Sequence, residues 1–280
     1  MHFTLGHSPD PDDAFMFYAL AKDKIDARGH TFEHLLQDIE TLNQRAFREE
    51  LDITAFSIHA YAYLSDKYAL LPSGASMGDN YGPRLVAKRM YSKEELAKAK
   101  IAIPGKLTSA FLALQLYLDQ TAEQFDWIEV PFDQIFDAVK DGRADVGLII
   151  HEGQLTYQKE GLVLCEDLGA WWHRETGGLP LPLGGNGVRK ALGKETNQEL
   201  SKILKESISY GLAHRKEGVD YALPFGRGLD TQLADDFIGM YVNELTVDYG
   251  ERGRAGIREF LSRAEKKGLI PKQGPLEFVE

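Results

Sequence analysis

Cysteine occurs once in the 280 residues, at Cys165 within the strand-like LVLCEDLG, so no intramolecular disulfide can staple the fold. Basic residues are a minority: 32 Lys and Arg stand against 43 Asp and Glu, a formal charge of −11. A nucleic-acid partner needs a basic footprint to meet phosphates, and none is visible. Acidity of this kind still leaves room for a small anion, because a few backbone N–H groups at a helix terminus hold a carboxylate whatever the net charge. No apolar run approaches the roughly 18–20 residues that span a bilayer. The opening MHFTLGHSPD has neither the basic n-region nor the apolar h-region of a secretory signal, so a cytoplasmic location is expected and a membrane partner is not.

Metal and phosphate motifs are missing as well. His151–Glu152 is followed by Leu155 where an H-E-x-x-H zinc site needs a second histidine, and there is no thiol cluster. The Gly-rich GGLPLPLGGNG (177–187) lacks G-x-G-x-x-G spacing. GVRKALGKE puts five residues between its glycines and Glu where a P-loop needs Ser or Thr. No nucleotide, metal or other cofactor is therefore expected.

What remains is an ordinary globular composition, 43% hydrophobic and 27% charged. Short apolar strands alternate with amphipathic helices. FTLGHS reads as a strand and DDAFMFYALAK as its helix; TFEHLLQD and IETLNQRAFREE, then DITAFS and IHAYAYLSDK, repeat the unit, and YALLPSG adds a strand. RLVAKR, KIAIPG, DWIEVP and ADVGLII are further strands, interleaved with SKEELAKA, SAFLALQLYLDQ and FDQIFDAVKDG. After residue 160 come a strand, GLVLCEDLG, a short helix, AWWHRETG, and a Pro/Gly-rich segment, LPLPLGGNGVRK, returning into a strand; the last part is mostly helical. This rhythm predicts an α/β fold of mixed sheets flanked by helices. Two lobes with a cleft between them fit best, residues 90–175 forming a lobe inserted into one built from 1–89 and 176–280.

In such folds ligands collect at the carboxyl ends of strands, which makes the strand exits the candidate positions. SPDPDD (8–13) places three carboxylates in four residues. The helix-start reading covers them more simply than a metal does: Asp10 caps, Pro11 takes the first helical position, and Asp12 and Asp13 meet the positive end of the dipole. Ser8 could face a cleft there. In IPGKLTSAFLALQLYL, Thr108 caps a long apolar helix and leaves the N–H groups of Ser109 and Ala110 as an anion site or simply as a capped terminus. DITAFSIHAY repeats the geometry at Ser57, while His59 reads as a helix-surface or packing residue and Asn43, on the preceding helix, taken alone as a solvated residue. DVGLIIHEGQLTY ends a strand on His151. A histidine over a cleft suits general-base work near neutral pH, and it equally suits a hydrogen-bonding role at a crossing between lobes. No hydroxyl nucleophile stands with a base at recognisable spacing, so covalent catalysis is not supported.

Taken together, SPDPDDAFMFYAL, DIETLN, FSIHAYAYL, PGKLTSAFLALQLY, ADVGLIIHEGQLTYQKEGL, DLGAWWHRETGGLPLPLG and YVNELTVDYGERG resemble the 1,4-dihydroxy-6-naphthoate synthase family of menaquinone biosynthesis, in order and across nearly the whole chain. The I-H-E-x-x-x-T-Y block and D-L-G-x-W-W carry most of the likeness; where the family reads S-P-C-P-N-D, this chain has SPDPDD. The resemblance implies a fold like the type II periplasmic binding proteins, used as a carbon–carbon lyase without cofactor. The implied substrate is cyclic dehypoxanthine futalosine, a small carboxylate, cleaved to 1,4-dihydroxy-6-naphthoate and dihydroxyacetone. It places the catalytic base at His151 and substrate contacts at Ala55, Phe56, Ser57, Thr108, Ser109, Ala110 and Asn43; Ser8, at its strand exit, and Glu152, which either orients His151 or faces solvent, are added as candidate contacts. Two other readings share that fold: a solute-binding protein that captures a carboxylate, and chorismate dehydratase of the same pathway. The absent signal peptide argues against the first and the I-H-E block against the second. Tyr157, Trp171 and Trp172 are left between pocket wall and packing, and the oligomeric state between monomer and homodimer.

Overall fold

Strand and helix alternate along the first half of the chain because apolar runs of four to six residues end in Gly, Pro or Asp turns and are followed by helix-period patterns. The structure, a computed structural model, describes residues 1–279. It begins β1 (His2–His7), α1 (Pro11–Ala21), β2 (Thr31–Leu36), α2 (Ile39–Phe47), β3 (Ile53–Ser57), α3 (Ile58–Tyr61), β4 (Tyr68–Leu70) and β5 (Ser76–Gly78). A second run holds β6 (Arg84–Ala87), α4 (Lys93–Leu96), β7 (Ile101–Ile103), α5 (Ser109–Leu118), β8 (Trp127–Glu129), α6 (Ile135–Lys140), β9 (Val146–Ile149), α7 (Gly153–Thr156) and β10 (Val163–Asp167). Helix α8 (Leu168–Thr176) and β11 (Leu181–Arg189) bring the chain back, and α9 (Lys194–Ala213), α10 (Arg215–Ala222), α11 (Thr231–Tyr241), α12 (Glu244–Val247) and α13 (Gly250–Lys266) complete it.

These strands make two mixed sheets, as the alternating pattern predicts. The first runs β2-β1-β3-β11-β4, with β5 beside β11; the second runs β10-β6-β9-β7-β8. β1 is parallel to β2 and β3, and β11 is antiparallel to β3 and β4. β6 pairs with β9 and β10 in the second sheet, so the change of sheet comes before residue 84 and not at residue 90. The chain passes between sheets twice, at residues 79–83 and 177–180. Arg252 of α13 clasps both passages: its guanidinium holds the two Asp79 carboxylate oxygens at 2.7 and 2.6 Å and donates to the Gly178 carbonyl at 2.7 Å.

Two local departures have physical causes. IHAYAYLSDK reads as a full helix, but only Ile58–Tyr61 is α-helical; Ala62, Tyr63 and Leu64 bond three residues back, to His59, Ala60 and Tyr61, so the coil tightens. The Pro/Gly-rich segment returns into a strand as read, but the strand takes in nearly all of it, nine residues from Leu181, and it tolerates Pro182 because the ladder to β5 shifts register between Pro182 and Gly184.

Helix α1 is buried from Pro11 to Leu20, packed under α9 and α10. A wide apolar core links the second sheet, α5, α8 and α13 with Phe56 and Tyr68 of the first sheet and Tyr61 of α3. Trp172 belongs there, fully buried, with Nε1–H donating to Pro180 O at 3.1 Å and its ring edge-on to Phe260. The chain's end, 277–279, runs along β4: Leu70 N–H donates to Glu277 O and Val279 N–H to Leu70 O, both at 2.9 Å.

Candidate active site

The strand exits of both sheets open on one cleft. β1 delivers Ser8 and the first turn of α1; β3 delivers Ala55 and Ser57; β7 leads to Thr108, Ser109 and Ala110 at the head of α5; β9 ends on Ile150 and His151, with Gln154 beyond. Ile39, Pro83, Leu183, Phe237 and Tyr241 add an apolar and aromatic wall. That combination, apolar faces with a few convergent polar groups, is what small-molecule sites look like.

His151 sits in the left-handed region at φ 61°, in the sharp turn that takes β9 into α7. This turn follows a strand of the second sheet and is away from both crossings. Its Nδ1 is 2.9 Å from Asp10 Oδ2, and its ring stands edge-on to Phe132, centroids 4.5 Å apart. Nε2 is buried and has no hydrogen-bond partner among the described residues. Burial alone would lower the imidazole pKa, but the charge and hydrogen bond of Asp10 outweigh it and raise His151 above its ordinary value.

Asp10 differs from its expected role. It occupies the N-cap position of α1 with extended backbone, yet its side chain caps nothing. The carboxylate instead accepts from His151, from Ser8 Oγ, and from Arg227 Nη1 at 2.8 Å. Burial would push Asp10 up; His151, Ser8 and Arg227 together hold it well below the usual carboxylate range. Arg227 reaches across to Glu152 at 3.0 Å and lies over the Phe132 ring at 4.6 Å. Asp12 faces the same cleft, pushed up to about 7 by burial and by the Asp10 charge beside it. Asp13 takes the backbone N–H of Ser8 at 2.6 Å and is raised by burial and by Asp12.

The same cleft holds a set of donors. Thr108 caps α5, its hydroxyl accepting from Phe111 N–H at 3.2 Å, which leaves the Ser109 and Ala110 N–H groups without an intrahelical partner. Behind them His59, buried and lowered to about 4 by that burial, sets Nδ1 3.2 Å from Thr108 O, and its backbone N–H donates to Ser109 Oγ. Asn43 is fully buried one layer back from the wall. Its Oδ1 accepts from Ser57 N–H at 2.9 Å and its Nδ2 donates to Ser57 Oγ, so it positions Ser57 rather than lining the cleft.

Of the residues singled out in the sequence, Ser8, Ala55, Ser57, Thr108, Ser109, Ala110 and His151 meet on this wall. Phe56 does not: strand alternation turns it into the core, stacked on Tyr61 with centroids 5.6 Å apart. Glu152 points to a neighbouring depression with Arg227 and Phe132. Trp171, Trp172 and Tyr157 pack elsewhere in the two cores. Unforeseen were Asp10 as the partner of His151, Arg227, Gln154 and Tyr241. The three aspartates at a strand exit were a usable signal for the first. Nothing local marks Arg227, which lies 217 residues from Asp10.

A family model described as menaquinone biosynthesis matches residues 3–266. The chain belongs to this family. It is 38% identical over 273 residues to the 1,4-dihydroxy-6-naphthoate synthase of Thermus thermophilus, covering 97% of each. To the Streptomyces coelicolor protein of the same name it is 34% identical, over 97% of this chain and 95% of that one. It is therefore an enzyme-family member with a role in menaquinone biosynthesis. Among solved structures, protein AF1704 from Archaeoglobus fulgidus superposes with a TM-score of 0.90 at 44% identity, covering 96% of this chain and 98% of that one. The alkanesulfonate-binding protein SsuA from Xanthomonas axonopodis pv. citri gives 0.70 at 10% identity, over 97% and 94%. That second likeness speaks to architecture alone and marks the fold as periplasmic-binding-protein-like.

Proposed function

We propose that the cleft cleaves cyclic dehypoxanthine futalosine to 1,4-dihydroxy-6-naphthoate and dihydroxyacetone, with His151 as the base that starts the carbon–carbon cleavage. The observation that carries this reading is the His151–Asp10 pair. Asp10 on Nδ1 fixes the tautomer and turns the ring, so the neutral imidazole keeps its Nε2 lone pair unspent on any protein group, at a residue that lines the cleft. Removing a proton there lets the carbon–carbon bond to the sugar-derived fragment break in a retro-aldol sense, and aromatisation of the new ring drives the step. Nothing in that sequence calls for redox chemistry.

In this reading the aromatic carboxylate lies at the head of α5, among Ser57, Thr108 and the N–H groups of Ser109 and Ala110. A helix terminus gives an anion about 0.3–1 kcal/mol, up to ~2 in partly buried geometry. The contact therefore orients more than it anchors; the apolar faces of Ile39, Leu183 and Phe237 supply the larger share through burial of the ring. Asp10, Asp12 and Asp13 also line the cleft and offer hydrogen-bond partners to hydroxyls, whereas the head of α5 offers donors to a carboxylate, which favours one direction for the substrate in the cleft.

The test is incubation of the purified protein with cyclic dehypoxanthine futalosine, following 1,4-dihydroxy-6-naphthoate by chromatography and mass spectrometry, with His151→Ala alongside. Product from the parent and a loss of about 10²–10⁴-fold in the variant is the expected result. Equal turnover by both removes His151 from the chemistry. Binding without product from either protein hands the cleft to solute capture.

A further inference from the structure

Gln154 is 1% exposed and lies on the cleft wall three residues after His151. Three of its four polar groups are committed. Its backbone N–H donates to His151 O at 3.1 Å, its backbone carbonyl accepts from Arg84 Nη1, and its side-chain Oε1 accepts from the Tyr241 hydroxyl at 2.9 Å. Burial keeps that hydroxyl protonated, and so a donor. Arg84 is itself tied to Asp167, the N-cap of α8, at 3.1 Å. Backbone and carbonyl oxygen are thus locked from two directions, by β6 and by α11. The fourth group, the amide nitrogen Nε2, meets no acceptor among the described residues.

A rigidly held amide donor that no protein acceptor occupies and that stands on the wall of a ligand cleft is placed to read a ligand atom. The neighbourhood says which kind. The same cleft is lined by Asp10, Asp12, Asp13 and the hydroxyl of Ser8, groups that accept from or donate to hydroxyls. We propose that Gln154, oriented by Tyr241, is a specificity-determining residue that donates from Nε2 to an oxygen of the hydroxylated fragment cut away from the ring. The inference rests on the cleavage reading above and adds to it the end of the substrate that this wall recognises.

The product 1,4-dihydroxy-6-naphthoate lacks that fragment, which separates the two ends of the cleft experimentally. For Gln154→Met, KM for the substrate is expected to rise about 10- to 100-fold, the scale of one or two lost hydrogen bonds, while kcat changes little and the Kd for the naphthoate product, read by its fluorescence, stays as in the parent. Tyr241→Phe keeps the ring and frees the amide to rotate, so a smaller rise of about 3- to 10-fold is expected, again without effect on product binding. This second variant decides the matter if Gln154→Met fails to fold. Substrate KM and product Kd weakened together overturn the proposal, because Gln154 would then serve the ring or the general packing; so does a KM that moves in neither variant. A parent enzyme with no turnover sinks the cleavage reading and this inference with it, whereas a parent that turns over beside unaltered variants sinks this inference alone.

Discussion

At the scale of single residues the site turns on a charge pair that can discharge itself. Breaking a buried ion pair usually costs about 3–5 kcal/mol, because the surviving charge is stranded. His151 eases that cost: Asp10 does most to hold its pKa up against burial, ahead of Glu152 and Asp12, so without Asp10 the balance tips toward the neutral imidazole. Asp10→Asn is accordingly expected to fold. The sign for activity follows. A base works deprotonated, and Asp10 raises the pH at which His151 loses its proton; the variant's acid limb in kcat/KM therefore moves to lower pH. At the same time kcat falls, by up to about 10⁴-fold, through lost tautomer control. A pH–rate profile of both proteins checks this, and an acid limb that stays in place or moves upward would contradict it. Little of this pairing was legible in the sequence. Asp10 stands where a cap belongs, and cap and catalytic partner share the residue type; only the approach of β9 to the head of α1, fixed by tertiary packing, tells them apart.

Elements were legible to the degree that their cause is local. Thr108 announced the start of α5, since a hydroxyl before an apolar run has one local use. The twisting of IHAYAYLSDK into tight turns was not visible, because it depends on what α3 packs against. Phe56 was misplaced for a related reason: a motif lists consecutive residues, while a strand sends alternate ones to opposite faces. The start of α8 shows a constraint of another kind. A Cβ on Gly169 would stand 1.8 Å from the backbone oxygen of Tyr81 and 2.0 Å from its carbon, and neither is the end of a flexible side chain. Tyr81 lies on the first crossing, and its ring packs edge-on to Tyr241. Gly169→Ala is expected to destabilise by about 3 kcal/mol or more, lowering Tm by roughly 6–12 °C. Calorimetry reads it directly; an unchanged Tm would mean that the crossing gives way freely.

For the whole molecule, the alternation of strand and helix was enough to predict two mixed sheets and a cleft, because period and turn residues are properties of the chain itself. Where the sheets divide was less visible: β6 looks like any apolar strand, and only its ladder with β9 and β10 assigns it. Arg252 was beyond reach for the same reason, since it joins residues 173 and 74 positions away. The tail along β4 carries a consequence of a practical sort. β4 closes one side of the first sheet, and bare strand edges are templates on which copies of a protein stack. The backbone bonds of Glu277 and Val279 act as a hem on that side. Trimming the chain after Leu276 should unpick it: the shortened protein is expected to self-associate on storage, seen as growth in light scattering at a concentration where the parent stays constant. Equal scattering from both would show that the hem is ornamental, and an affinity handle could then be moved to this end without concern.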